Sequence, residues 1–172
     1  MPDVHRCEVP ADSLLHLYQR AAGYADCYVI EVPGPVTQEA FIEAFYTSPL
    51  FKVERTLLKY LVSRPASDTD ARQLAQGKAS SFSAWRVEGQ SASELLLADF
   101  TARTRSWLMA VPVPGPIPAS RTRLYFGSAV VSRASDGSGR SGMGWLFYAL
   151  LGFHSLYSRL LLSAASRRVR AA

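Results

Sequence analysis

From Gly142 to Ser158 the chain carries no formal charge, and Arg159, Arg167, Arg168 and Arg170 follow. No proline interrupts 142–172 and Leu and Ala dominate it, which predicts a long helix. A helix that is apolar around most of its circumference must bury against a wide apolar surface. The candidates are a curved sheet from the same chain and a membrane. The uncharged run 141–158 would be about 27 Å long as a helix, just short of a bilayer core. It also contains Ser141, Gly142, Gly144, Gly152 and His154, and extending it buries Arg159 at about 2.5–3.5 kcal/mol. A sheet is the better partner.

The remainder of the sequence supplies one. Tyr24–Val32 is rich in aromatic and β-branched residues and stops at Pro33-Gly34-Pro35, as a strand does. Thr37 can cap a helix that places Phe41, Ala44 and Phe45 on one face. Ser48-Pro49 breaks it, and a second helix runs from about Leu50 to Val62 with Leu50, Val53, Leu57, Leu58 and Leu61 as its stripe. The polar stretch 67–77 reads as a loop with a turn near Arg72–Ala75. Strands are predicted over 79–88, 94–100, 103–112 and 121–133, with a proline-rich connection at 112–120. In the last strand Leu124, Phe126, Ser128 and Val130 face one way, and Arg123, Tyr125 and Gly127 the other. Short turns between successive strands imply an antiparallel meander.

The expected fold class is therefore α+β, a helix-grip in which a twisted antiparallel sheet wraps around the long C-terminal helix. Residues 1–22 read as an N-terminal extension with one short helix bearing Leu14, Leu15, Leu17 and Tyr18, and 23–172 as the domain proper. The charged N-terminus argues against a secretory leader. The two cysteines, Cys7 and Cys27, form no Cys-x-x-Cys unit and suggest neither a disulfide framework nor a metal site. A reducing, cytoplasmic compartment is the expectation.

Charge is divided unevenly. Residues 1–99 hold 9 Lys or Arg against 13 Asp or Glu, a balance of −4; residues 100–172 hold 10 Arg against Asp136 alone, a balance of +9. Mutual neutralisation in the fold is expected, because the arginines are spread over strands rather than clustered. Contact of the basic C-terminal end with an anionic membrane surface is kept as the alternative.

Three short motifs resemble a bacterial family, domain of unknown function 2867, placed in the START-like, birch-pollen-allergen-like helix-grip superfamily. They are Ala25-Asp26-Cys27-Tyr28, Glu94-Leu95-Leu96-Leu97-Ala98 and Gly152-Phe153-His154, and the resemblance covers about 24–165. Relatives usually have Pro at the Gly152 position and a basic residue at Ser155. The resemblance implies a pocket for a hydrophobic or amphipathic small molecule between sheet and C-terminal helix.

Candidate ligand contacts are Trp85, Trp107, Tyr125 and Tyr148 as aromatic walls, Arg105 and Arg123 as carboxylate or phosphate binders, and His154 as a polar group on an oily helix. Arg103 and Arg121 extend the cationic rim, and Asp26 and Asp99 are candidate acids if enclosed in apolar surroundings. Each has a plain alternative: core packing for the aromatics, a solvated strand face for the arginines, strand-end pairing for the acids. No serine elbow or metal-ligand spacing is present, and Gly137-x-Gly139-x-x-Gly142 lacks the strand-helix-strand setting of a dinucleotide site. No cofactor, metal or nucleic acid is expected, and a homodimer is left open. An enzyme of cyclase, isomerase or dehydratase type on the same scaffold is the alternative to a binding protein.

Overall fold

The computed structural model describes residues 4–20, 24–62, 66–115, 120–131 and 145–171; within them, the side chains of 20, 54, 57–62 and 145–154 fall outside the description. The chain is α+β. Among the described residues, seven antiparallel strands form one sheet: β1 (His5–Arg6), β2 (Tyr24–Pro33), β3 (Ser81–Phe82), β4 (Trp85–Gln90), β5 (Glu94–Asp99), β6 (Thr104–Val113) and β7 (Arg121–Val130). Their spatial order is β1-β2-β7-β6-β5-β4-β3, so the first long strand pairs with the last. The helices are α1 (His16–Arg20), α2 (Gln38–Tyr46), α3 (Pro49–Val62), α4 (Asp68–Ala75) and α5 (Trp145–Val169).

Local chemistry sets these boundaries. Thr37 accepts a hydrogen bond from the Ala40 N–H and starts α2, while Pro49 opens α3, where its missing N–H costs nothing. The expected loop at 67–77 is instead the helix α4. Ser67 accepts from the Asp70 N–H, and the Asp70 carboxylate accepts from the Ser67 N–H, a reciprocal box that satisfies two free donors. The expected strand 79–88 is a tight hairpin, β3 to β4, turning at Ser83 with φ +53°.

Alternation along the strands gives the sheet two buried faces. On one, Tyr28, Ile30, Leu95, Leu97, Leu108, Leu124 and Phe126 meet α2, α4 and α5. The described part of α5 is amphipathic: Ser158, Leu161, Leu162, Ala165 and Ser166 are buried at helical spacing, while Leu156 and Leu160 are exposed. It packs on β2, β7, α2 and α3. In α3, Leu50 joins this core but Val53 is 59% exposed, outside the expected stripe. Arg55 and Lys52 both bind Asp68 of α4, at 2.7 and 2.6 Å.

The opposite face is covered by the N-terminal stretch, which packs as part of the domain. β1 pairs with β2, and Val9, Leu14, Leu15 and Tyr18 lie over Cys27, Leu96, Trp107 and Met109. Leu17 points away, 67% exposed, so the four apolar residues do not share one face as expected.

Candidate functional site

The helix-facing side of the sheet carries a polar row at one end. Asp26 stands opposite Ser128, and Ser128 opposite Ser106, on β2, β7 and β6. All three are buried. The Ser128 hydroxyl donates to Asp26 Oδ1 at 2.5 Å and the Tyr24 hydroxyl to Oδ2 at 3.5 Å. The row continues across the ladder into Leu97 and Val87. One step along the strands lie Tyr28, Phe126 and Leu108, so the polar corner adjoins an apolar surface.

Helix α5 closes on this side. The Tyr28 and Ser155 hydroxyls are 2.6 Å apart, and the Arg159 guanidinium lies 5.8 Å from the centre of the Tyr28 ring. One turn after Ser155, the Ser158 hydroxyl is buried and has no hydrogen-bond partner. Trp85, on β4 and packed against the same core, has a buried indole N–H in the same condition. An unpartnered buried donor or acceptor costs about 1–3 kcal/mol, and both of these lie beside apolar surface.

Of the expected ligand contacts, Trp85 is therefore on the helix side. Trp107, Tyr125, Arg105 and Arg123 are not, which corrects the expectation that they line the space under α5. The register places Trp107 opposite Gly127 and Met109 opposite Tyr125, on the face covered by the N-terminal segment. Trp107 is fully buried, and its indole N–H donates to Glu94 at 2.7 Å; Glu94 also accepts from the Leu14 N–H at 2.8 Å. Arg105 pairs with Glu88 at 2.9 Å, and its guanidinium sits 4.6 Å from the Tyr18 ring centre, clamping the segment down. Arg123 and Arg121 pair with Glu31 at 2.7 and 3.1 Å. Arg105 and Arg123 are six positions apart on β6 and its neighbour's register, about 20 Å along the sheet, so the rim does not converge. These pairs join acids of the first half to arginines of the second, the mutual neutralisation expected from the charge split. Tyr148 and His154 belong to α5, but their side chains lie outside the described residues.

Asp99 serves a turn. It accepts from the backbone N–H of Thr101, Arg103 and Thr104 and from the Thr101 hydroxyl, closing a loop in which Ala102 has φ +56°. Burial acts to raise its carboxyl, but the Thr101 hydroxyl and the three N–H groups outweigh that and hold it below the usual carboxylate range. A depressed folded pKa gives stability that is present above the unfolded value, about 3.9, and lost as pH falls through the folded one. Asp99→Asn is expected to cost about 1 kcal/mol at pH 7, after allowance for solvent screening. That difference should shrink below about pH 4, as read by urea unfolding across a pH series.

A cleft of about 300 Å³ lies between α4 and β3, lined by Asp70, Gln73, Ser81, Phe82 and Ser83 among others. Its one carboxylate already caps α4. Among the described residues no group of three or more His, Cys, Asp or Glu is placed to hold a metal ion, and no helix is long and apolar enough to cross a membrane. Compared with known proteins, the chain matches no protein-family model, no curated protein and no solved structure. The polar row was hard to find in the sequence. Ser106 and Ser128 are twenty-two positions apart and far from Asp26, and only the β2-β7-β6 register unites them.

Proposed function

We propose that this protein binds a small amphipathic molecule between the helix-facing side of the sheet and α5, as a helix-grip domain of the START-like kind. The order of elements supports that reading: after β1 and α1 come the long strand β2, three helices, an antiparallel run and a long last helix packed on β2 and β7. The observation that carries it is the pair of unpartnered buried groups, Trp85 Nε1 and Ser158 Oγ, on the same side as the Asp26-Ser128-Ser106 row. Apolar surface of the ligand supplies affinity and these groups orient its polar end.

The test is native mass spectrometry and solvent extraction of purified protein, followed by titration with a fluorescent fatty-acid-type amphiphile. A bound molecule, weakened about tenfold by Ser128→Ala or Trp85→Phe, is expected. An empty protein that takes up no amphiphile overturns the reading. Asp26 also favours a second reading, acid–base catalysis on the same guest, since a hydroxyl lies within hydrogen-bond reach of an enclosed carboxylate. Chemical change of the extracted molecule by the wild type but not by Asp26→Asn distinguishes it.

A further inference from the structure

The fold brings together two cysteines that the sequence keeps apart. His5 pairs with Val29 and Arg6 with Tyr28, so the next residue of the N-terminal segment, Cys7, stands opposite Cys27. The Cys7 N–H donates to the Cys27 carbonyl at 2.9 Å, and the two Sγ atoms are 3.3 Å apart, both as free thiols. Directly opposed residues of an antiparallel pair have Cα atoms about 4.5–5.5 Å apart, inside the range of about 4.4–6.8 Å that a disulfide spans. Both side chains belong to the cluster beneath the N-terminal segment, which includes Leu15 and Trp107; Cys27 is wholly buried there, while Cys7 is reached by solvent.

We propose that Cys7 and Cys27 are a reversible dithiol site that reacts with a small-molecule disulfide and, once oxidised, fastens the N-terminal segment to the sheet. The accessible Cys7 reacts first. As a thiolate it attacks one sulfur of RSSR; the Cys7–S–S–R bond forms, the RS–SR bond breaks, and the departing RS⁻ takes up the proton Cys7 lost. Cys27 then attacks the Cys7 sulfur, the bond to R breaks, and the second RS⁻ leaves with the proton of Cys27. Two electrons pass from the protein to RSSR, giving one internal disulfide and two RSH.

The polarity of the pair supports this order. The hydrogen bond between the two sulfurs holds the Cys7 thiol below the ordinary range, burial opposing it. The same bond, together with burial, pushes Cys27 far up. When Cys7 becomes a mixed disulfide it carries no charge to be stabilised, and that hold on the Cys27 proton is released.

The experiment treats the reduced full-length protein with oxidised glutathione and follows intact mass, free-thiol count and thermal unfolding. Expected is a monomer two hydrogens lighter with no free thiol, a Cys7–Cys27 linked peptide after digestion, and a midpoint raised by roughly 5–10 °C, all reversed by dithiothreitol. Cys27→Ser should stop at one glutathione on Cys7. A wild type that ends with glutathione retained on Cys7, forms dimers between chains, or keeps both thiols overturns the proposal. Those wild-type readouts decide it even where Cys27→Ser does not fold.

Discussion

Phe45→Ala is expected to destabilise the protein by about 3–5 kcal/mol, the cost of emptying a large aromatic site in a close-packed core. Phe45 is 1% exposed. Its ring centre lies 6.2 Å from Phe41, 5.2 Å from Tyr46, 6.0 Å from Phe51 and 4.8 Å from Phe126. Those partners come from α2, α3 and β7, so one side chain joins two helices to the sheet. Tyr46 and Phe51 in turn touch Phe82 of the β3-β4 hairpin, at 5.1 and 6.2 Å. Removing the central ring leaves edges without partners on several sides, and rigid neighbours cannot all close the gap. Phe100, 56% exposed beside the Asp99 turn, is the control: Phe100→Ala should change stability by no more than about 0.5 kcal/mol. Urea unfolding of both variants at neutral pH checks the contrast. Equal effects would falsify the packing of the helical layer described above.

That layer was readable from periodicity, because α2 and the strands repeat their apolar residues at the spacing of their own geometry. Thr37, Pro33-Gly34-Pro35 and Ser48-Pro49 mark boundaries by backbone chemistry alone. The opposite face was not readable, for a different reason. Alternation states that Leu124 and Phe126 point away from Tyr125, but it does not say which side a helix will cover. Trp107, mid-strand and large, looks like a pocket wall on either face, and its hydrogen bond to Glu94 appears only once β5 and β6 are paired. Residues 4–20 are polar enough to pass for an appendage. Their deepest anchor, Leu15, shares its cluster with Leu14 and Tyr18, but Leu17 between them faces solvent and breaks the pattern. Helix α4 was missed because its reciprocal cap uses Asp70 where Glu or Gln is the usual partner. The candidate site was legible only in Trp85 and Asp26; Ser106, Ser128 and Ser158 are residue types that draw no notice until burial and register are known.

Gly127→Ala tests the N-terminal segment most directly, and it is expected to cost about 2–3 kcal/mol although alanine is intrinsically the better strand residue. A Cβ placed on Gly127 falls 2.4 Å from Leu15 Cδ2, 2.9 Å from the Asp26 carbonyl oxygen and 3.1 Å from Trp107 Cε3. The Asp26 oxygen belongs to the backbone of the neighbouring strand and cannot withdraw without opening the β2-β7 ladder. Leu15 can withdraw, but only by lifting off the face where it is wholly buried. The glycine is thus the seat of Leu15, and the pair should be coupled. Leu15→Ala alone is expected to cost about 2–4 kcal/mol by leaving a cavity. In the double variant the new methyl group occupies part of that cavity, so the two losses should fall short of their sum by about 1–2 kcal/mol. Proteolysis between 8 and 14 should be faster in each single variant than in the wild type, since lifting the segment exposes it. Additive losses, within about 0.5 kcal/mol, would mean that Leu15 and Gly127 do not meet and that the segment is held by other contacts.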